Sequence, residues 1–261
     1  MNPIKVSFFT LTSLVLTLAF SSHAWAAKSF EELVKLGGDA ILEEADNRAN
    51  PAEDVTRSVK MILRGGGDDG KEIILKQLTK DGKRTAIRFA KPADLKGMGL
   101  VIKSASEIYV KLPGSKKVRR VAAHAKKQGF QGTDFSMDDL KMLRFGPYFT
   151  ATVKSQEGKD VVLTLTRKDG VDVPYSKIEI AMEKTILIPR DLTYFDDDGL
   201  KVKQQKRHGL KNDSAGHPTY YKGTMTDFTR NHSTDMEVLE QITDKKISDK
   251  TFTKRWLIRG T

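Results

Sequence analysis

The sequence predicts a mainly β fold with helices (α+β), in which one strongly curved antiparallel sheet of about ten or eleven strands carries a few short helices. Between residues 55 and 227, apolar and polar side chains alternate in short runs, which is the period of half-buried strands. Most junctions between these runs contain Gly, Asp or Pro, the residues typical of tight turns. Because flat open sheets of this size are rare, we expect the sheet to curve strongly.

The first 26 residues have the features of a signal peptide. Lys5 supplies a positive charge, an apolar run covers residues 8–20, and Ala24 and Ala26 are the small residues that a signal peptidase recognises. No later apolar run approaches the roughly 20 residues that a spanning helix needs. We therefore predict an exported, soluble protein without an integral membrane span, made of a cleaved signal peptide, residues 1–26, and a single domain, residues 27–261.

The first element of this domain is a predicted helix from Ser29 to about Arg48. Apolar residues recur there at helical spacing behind a capping box formed by Ser29 and Glu32. Pro51 ends the helix, and the period then changes from that of a helix to that of a strand.

The remaining elements are predicted strands, apart from a short helix at Asp134–Leu143, where Ser136 and Asp139 have capping-box spacing. Each strand run alternates apolar and polar side chains and is bounded by turn residues. The predicted strands cover residues 55–63, 71–79, 84–92, 100–104, 107–112, 149–155, 161–167, 177–182, 186–195, 201–207 and about 220–227.

The amino-acid composition limits the classes of function that the chain can have. The chain has no cysteine, which excludes disulfides and a lipid-modified Cys, so that stability must come from a packed core. It has 45 Lys and Arg against 34 Asp and Glu, and without Lys5 the net charge is +10. In an exported protein this charge argues against nucleic acid and favours lipid head groups or acidic protein surfaces. The alternative is that the lysines serve solubility alone.

A phosphate-binding loop is not predicted. Gly65, Gly70 and Lys71 have the required spacing, but Glu72 stands where Ser or Thr should hold a metal ion, and a strand follows instead of a helix. This segment is interpreted as a hairpin turn.

No metal, cofactor or catalytic site is predicted either. The run Asp196–Asp198 is contiguous and lacks the spacing and closing Glu of a calcium loop. No nucleophile elbow occurs. The histidines of the domain show no zinc-ligand spacing: His124, His208, His217 and His232. We therefore predict a protein that is not an enzyme, and an enzyme acting on envelope polymers would need a cluster of polar residues that the sequence does not show.

Several motifs resemble the LolA-like outer-membrane lipoprotein-sorting family. They are "FAKPADLKGMGLVI", "YVKLPGSKKVRRVAAHAKKQGFQGTDFSMDDL", "KTILIPRDLTYFDDDGLKVKQ" and the closing "SDKTFTKRWLIRG". The most specific part is Lys117–Arg120 followed by Phe130–Phe135, and the resemblance extends from about Val55 to Leu257. The chain is longer than the family's usual carrier and is similar to a branch associated with RND-type exporters.

The resemblance implies an incomplete β-barrel covered by a helical lid, with an apolar cavity for acyl chains between them. It also implies a periplasmic carrier or chaperone that binds lipid or an acylated lipoprotein and transfers it towards the outer membrane. The alternative is a non-carrier accessory or interaction protein of an RND-type inner-membrane exporter.

Two groups of candidate site residues follow. The alternative for the first is an ordinary core, and the alternative for the second is a solvated strand and loop. The predicted cavity and lid residues are Met98, Leu100, Ile108, Val110, Phe135, Met137, Leu140, Leu143, Phe145 and Phe149. The residues predicted to meet a lipid head group or an acidic partner are Lys116, Lys117, Arg119, Arg120, Lys126 and Lys127.

Overall fold

The computed structural model describes residues 28–104, 106–122 and 129–259. The predicted signal peptide lies outside these residues, as do Lys126 and Lys127. The described part has four α-helices: α1 (Phe30–Leu36), α2 (Gly38–Ala49), α3 (Met137–Lys141) and α4 (Lys254–Arg259). None of the described helices combines the length and the apolar character that crossing a membrane would require.

Thirteen strands form one sheet in which every pairing is antiparallel. In chain order they are β1 (Val55–Arg64), β2 (Glu72–Lys80), β3 (Arg84–Lys91), β4 (Gly99–Ile102), β5 (Ile108–Lys111), β6 (Val118–Arg120), β7 (Phe149–Ser155), β8 (Asp160–Arg167), β9 (Lys177–Glu183), β10 (Asp191–Phe195), β11 (Lys201–Asn212), β12 (Pro218–Asp227) and β13 (His232–Thr243).

The order across the sheet is β6-β5-β4-β3-β2-β1-β13-β12-β11-β10-β9-β8-β7. Two meanders therefore meet where β1 pairs with β13, with Val55 opposite Thr243 and Arg64 opposite Ser233. The sheet does not close, because β6 and β7 remain its edges. The fold is an open, curved antiparallel β-barrel with a helical lid. The curved antiparallel sheet confirms the prediction from the sequence pattern, and the open barrel with its lid confirms what the family resemblance implies.

The strand count differs from the prediction by two strands, β6 and β13. β6 is three residues long, too short to show a period. β13 was missed because several of its buried side chains, including His232, Thr234 and Gln241, are polar and give no apolar alternation.

The predicted N-terminal helix is broken into α1 and α2 at Gly37, whose φ of +98° is accessible to glycine. The break brings Gly38 against β7, where a Cβ on Gly38 would lie 2.3 Å from the carbonyl oxygen of Ala151. The N–H of Ala151 donates to Oδ1 of Asp39 over 2.6 Å. α2 is thereby fixed over one edge of the sheet. The capping boxes of Ser29 and Ser136 are confirmed.

The two faces of the sheet bury separate apolar clusters. The larger cluster lies on the concave face and includes the buried side chains of α2 and of the segment around α3. The smaller one lies on the convex face of β3 and β4, under the C-terminal segment, where Phe252 and Leu257 pack on Ala86 and Val101. The lid and the C-terminal helix thus cover opposite faces.

Candidate functional site

A cavity of about 210 Å³ lies between the concave face of the sheet and the lid. We define the lid as α2 together with the lid segment, residues 129–145, which contains α3. The strands that contribute to the cavity are β1, β2, β10, β11, β12 and β13, and the lid contributes the C-terminal part of α2 and residues 135–145.

Most of the cavity wall is apolar. From the sheet come Val59, Met225, Met236 and Val238, and from the lid come Phe135, Leu140, Met142, Leu143 and Phe145. Methionine suits such a wall because its flexible, polarizable side chain adapts to different contacts. The wall is therefore suited to an aliphatic ligand.

Two arginines, Arg57 of β1 and Arg207 of β11, line the same cavity. The Nε of Arg57 donates to Oε1 of Gln241 over 2.6 Å. Arg207 donates from Nη2 to Oε1 of Gln205 over 2.8 Å and from Nη1 to the carbonyl of Pro189 over 3.3 Å. Within the described residues, no carboxylate lies within 4.0 Å of either guanidinium group.

The environment of Arg57 disfavours its charge. Burial is the main cause that lowers the pKa of Arg57, and the positive charge of Arg207 adds to it, so that the pKa falls to about 10. The nearest acidic influence is Asp213, whose Oδ2 accepts a hydrogen bond from Nε2 of Gln241 over 2.9 Å. Gln241 therefore stands between the carboxylate and the guanidinium and orients both without neutralising either.

Arg207 is half-buried, and the loss of contact with water lowers its pKa. Its neighbour across the β11–β12 ladder is Gly223. A Cβ on Gly223 would lie 2.9 Å from the carbonyl oxygen of Lys206, so the close approach of β12 to β11 beside Arg207 requires glycine at this position.

The lid segment is attached to the sheet through a buried carboxylate, that of Asp134, which is fully buried. Its Oδ2 lies 2.7 Å from Nδ1 of His232 and accepts a hydrogen bond over 2.7 Å from the hydroxyl of Thr234. Nη1 of Arg230 lies 3.5 Å from Oδ1. The partners of Asp134 on β13 thus hold one end of the lid segment.

A second attachment lies in α3 itself. Asp139 accepts hydrogen bonds from Nζ of Lys203 over 2.9 Å, from the hydroxyl of Tyr175 over 2.7 Å and from the hydroxyl of Ser136 over 2.9 Å. Burial, followed by the charge of Asp139, raises the pKa of Tyr175 well above its ordinary value. The tyrosine is therefore a neutral donor at any physiological pH.

The third attachment joins the two parts of the lid. The carboxylate of Asp46 in α2 accepts hydrogen bonds from the backbone N–H of Phe145 over 2.9 Å and from that of Gly146 over 2.8 Å. Burial raises the pKa of Asp46, and the two backbone donors oppose this shift. Polar contacts therefore fasten the lid at three points, while its underside is apolar.

The structure brings nine of the ten predicted cavity residues into the concave apolar cluster, the exception being Leu143. Four of the ten line the cavity: Phe135, Leu140, Leu143 and Phe145. The other six are not part of its lining and lie elsewhere on the concave side: Met98, Leu100, Ile108, Val110, Met137 and Phe149.

The described residues of the predicted head-group surface are exposed: Lys116, Lys117, Arg119 and Arg120. Arg119 and Arg120 belong to β6, the edge strand that pairs with β5. Arg120 donates from Nη2 to the carbonyl of Ser106 over 2.7 Å. We call residues 116–120 the basic edge; charged residues on an edge strand also prevent its pairing with another chain.

A larger groove of about 430 Å³ lies on the convex face, along β1, β2 and β13 and the segment 245–251. Its charged residues, among them Lys76, Lys245 and Lys246, are exposed. Among the residues that the structure describes, no group of three or more His, Asp or Glu side chains is placed to hold a metal ion. The concave cavity is therefore the better candidate, because it combines an apolar wall with buried charge.

Sequence reasoning missed both cavity arginines. Arg57 occupies the same face of β1 as Val55, Val59 and Met61, so an arginine in an otherwise apolar alternation was the available signal. Arg207 lies within a predicted strand, but the pattern around it is polar and does not show which face is buried.

Comparisons with known proteins agree with this architecture. A family model described as "Uncharacterized protein" matches residues 81–259, more than half of the chain. No curated protein matches the sequence.

Three solved structures are similar in fold. An outer membrane lipoprotein-sorting protein domain from Vibrio parahaemolyticus has a TM-score of 0.74 and 22% identity, with 85% of this chain and 98% of that chain covered. A DUF1329 family protein from Desulfovibrio piger has a TM-score of 0.76 and 21% identity, with 86% and 99% covered. A LolA superfamily protein from Nitrosomonas europaea has a TM-score of 0.68 and 18% identity, with 84% and 99% covered.

Proposed function

We propose that this chain, which belongs to the family matched over residues 81–259 and has the fold of the LolA-like proteins, is a periplasmic carrier or chaperone for lipid or lipoprotein acyl chains. It would hold the chains in the cavity beneath its lid and transfer them towards the outer membrane. The observation that carries this proposal is a mostly apolar cavity that lies between a curved sheet and a lid, which polar contacts fasten.

The free energy gained when an acyl chain moves from water into an apolar cavity is large enough to drive binding. Each buried CH₂ group contributes roughly 0.8 kcal/mol, so a chain of about sixteen carbons gains on the order of 10 kcal/mol by leaving water. A lipid that must cross an aqueous compartment therefore needs an apolar site that travels with it.

The size of the cavity implies that the lid moves. At about 210 Å³ it is smaller than the roughly 300 to 1,000 Å³ of ordinary ligand pockets. A complete acyl chain therefore requires the lid segment to lift from the sheet. The attachments of the lid segment to the sheet are hydrogen bonds to the carboxylates of Asp134 and Asp139, which contribute about 1.5 to 3 kcal/mol each. The gain on the order of 10 kcal/mol from a buried acyl chain can therefore offset the opening of some of these bonds but not of all of them at once.

The printed descriptions of two similar structures support the proposal. One is named a lipoprotein-sorting domain and another a LolA superfamily protein. No cofactor and no enzymatic reaction form part of the proposed function.

The direct test is to purify the protein from its native host without detergent, extract it with organic solvent and identify the lipids by mass spectrometry. We expect at least one lipid species in near-stoichiometric amount, and a delipidated sample that binds a fluorescent fatty-acyl probe. A folded protein that carries no lipid and does not bind the probe would refute the carrier function.

The proposed compartment has its own test. Osmotic shock should release the protein without detergent, because the proposed carrier is neither anchored nor spanning. Retention in washed membranes at high salt would contradict this.

A second candidate function is supported by the small cavity and by the basic edge. A filled core and an exposed cationic strand would suit an accessory protein of an RND-type exporter that binds an acidic protein surface and carries no lipid. Crosslinking in the native host distinguishes the two, since this alternative predicts an inner-membrane exporter subunit as the main product together with an absence of lipid.

A further inference from the structure

We propose that the ligand of the cavity is an anionic amphiphile, whose oxyanion head group, a phosphate or a carboxylate, binds between Arg57 and Arg207 while its acyl chain lies beneath the lid. This inference rests on the proposed carrier function and adds the chemical class of the head group.

The first argument is the cost of the two arginines in the empty protein. Removing a charge from water without pairing it is expensive, and buried cations are normally matched by a carboxylate. Arg57 and Arg207 are instead bonded to neutral acceptors, Gln241, Gln205 and the carbonyl of Pro189. Their mutual repulsion adds to the cost, as the lowered pKa of Arg57 indicates. An anion placed between them would offset both penalties.

The second argument is the number of donors left over. A guanidinium group has five N–H donors in a planar fork that fits phosphate and carboxylate bidentately. Among the residues that the structure describes, only Nε of Arg57 has an acceptor, so both terminal nitrogens are available. Nε of Arg207 is available as well. These nitrogens are not among the fully buried, unpartnered atoms of the described residues, in contrast to Nε of Arg88 and of Arg144, so they remain accessible to a ligand.

The third argument concerns the acids of the cavity. Asp46 and Asp139 also line it, but each is already engaged. Asp46 accepts from two backbone N–H groups, and Asp139 is paired with Lys203 at 2.9 Å. These carboxylates hold the lid, so neither is free to neutralise an arginine. The positive charge of Arg57 and Arg207 thus remains for a ligand.

The fourth argument is the position of the charge relative to the apolar wall. Along the concave face of β1, Arg57 is followed by Val59, Met61 and Leu63, which belong to the apolar cluster. Gln77 of β2 and Gln241 of β13 flank Arg57 in the ladder. Arg57 is therefore the single charged position on an otherwise apolar face of β1, so a ligand with its polar head at Arg57 can lay an aliphatic tail along Val59, Met61 and Leu63.

The test measures displacement of a fluorescent fatty-acyl probe by four compounds: dodecyl phosphate, dodecanoate, dodecanol and inorganic phosphate. We expect the two anionic amphiphiles to bind about tenfold or more tightly than dodecanol, since a hydrogen bond to a charged group contributes about 1.5 to 3 kcal/mol. Inorganic phosphate should not displace the probe. Displacement by inorganic phosphate as efficient as that by dodecyl phosphate would show an anion site without a lipid function and would overturn the inference.

The variants Arg57→Gln and Arg207→Gln should lose the preference for anionic amphiphiles while dodecanol binding stays within about twofold. Their thermal midpoints without ligand should be unchanged or higher, because each change removes a half-buried charge that has no carboxylate partner among the described residues. Arg64→Gln is the matched control on β1, outside the cavity lining, and should keep the preference.

The outcomes separate this inference from the function on which it rests. Equal affinity of the wild type for dodecanol and dodecanoate would overturn the inference and leave the carrier function standing. Failure of every amphiphile to bind would count against the carrier function itself. If Arg57→Gln does not fold, the ranking of the compounds on the wild type still decides.

Discussion

Nζ of Lys203 on β11 donates a hydrogen bond over 2.9 Å to Oδ2 of Asp139 in α3, and the same ammonium group donates to the carbonyl of Asp134 over 2.8 Å. One lysine of the sheet thus binds two positions of the lid segment. The side chains of Lys203 and Asp139 are 10% and 5% exposed, so this ion pair is nearly dry. Buried pairs of this kind are costly to break from one side.

We therefore predict that Lys203→Met loosens the lid. It would leave the carboxylate of Asp139 without its cation and lower the free energy of unfolding by about 3 kcal/mol. Hydrogen exchange should accelerate at the described amides of residues 129–145 more than in the sheet. Lys154→Met, which removes an exposed pair with Glu179, is the control and should change stability by less than about 1 kcal/mol. Uniform exchange changes across the sheet would contradict a lid-specific role.

Asp134 should be one of the most sensitive positions of the lid. Asp134→Ala would leave His232 and Thr234 of β13 without their buried acceptor and should cost about 3 kcal/mol in urea unfolding. Asp134→Asn retains an acceptor oxygen and should cost less. Asp94→Ala, at an exposed position, should stay within about 0.5 kcal/mol of the wild type. If Asp134→Ala also stays within that range, the attachment does not stabilise the fold.

Asp46 gives a pH-dependent prediction. Burial raises its pKa in the folded protein above 3.8, so the folded state binds more protons than the unfolded state in the window just above that value. The contribution of Asp46 to stability is therefore most favourable at low pH and declines as the pH rises through this window. Asp46→Asn does not titrate, so its thermal midpoint relative to the wild type should increase between about pH 3 and about pH 7.

The comparison of the two midpoints isolates Asp46, because all other groups titrate alike in both proteins. A constant difference would show that folding does not shift the pKa of Asp46, and a difference that decreases with pH would show that the folded protein stabilises the ionised carboxylate; either result contradicts the prediction.

Leu140 tests the cavity wall. It is half-buried and lines the cavity from the lid side. Leu140→Glu would place a carboxylate beside the expected acyl chain, and the cost of burying it unpaired should exclude the ligand or hold the lid open. We expect a folded protein that no longer binds the fluorescent probe, whereas Leu36→Glu, at a residue 60% exposed, should bind it normally. Unfolding, or normal binding by Leu140→Glu, would count against this position as part of the site.

The basic edge can be tested apart from the cavity. The double variant Arg119→Glu and Arg120→Glu should weaken association with anionic vesicles while its thermal midpoint stays close to that of the wild type, since both side chains are exposed. The same charge reversal at Lys245 and Lys246 is the control for net charge. Equal losses in both double variants would show that total charge, and not the basic edge, governs association.

The sequence predicts local elements well where the signal is local. The capping boxes at Ser29 and Ser136 involve residues three apart, and both are present. The break at Gly37 was not predicted, because its cause is the contact of Gly38 with Ala151, far along the chain. Local periodicity contains no information about such a contact.

The site was also predictable only in part, because local periodicity shows which side chains are buried but not what lies opposite them. Apolar periodicity predicts that Phe135, Leu140 and Met98 are buried, but the distinction between lining a cavity and filling a core depends on what faces each side chain. Buried polar residues such as His232 depend on partners about a hundred residues away, here Asp134. Their burial could therefore be read only from the folded structure.

The pairing of β1 with β13 also constrains how the molecule forms. β13 is the last strand in the sequence, yet it lies near the middle of the sheet and pairs with the first strand, β1. The meander of β1 to β6 is therefore not hydrogen-bonded to the meander of β7 to β13 until β13 has paired with β1. Such long sequence separation makes folding slow and leaves strand edges open until late. A chain that ends before His232 would keep all of its other strands and still lack the one that joins them. Assembly of the complete sheet therefore depends on a strand that the ribosome makes after all the others, so the sheet cannot be completed while β13 is still missing.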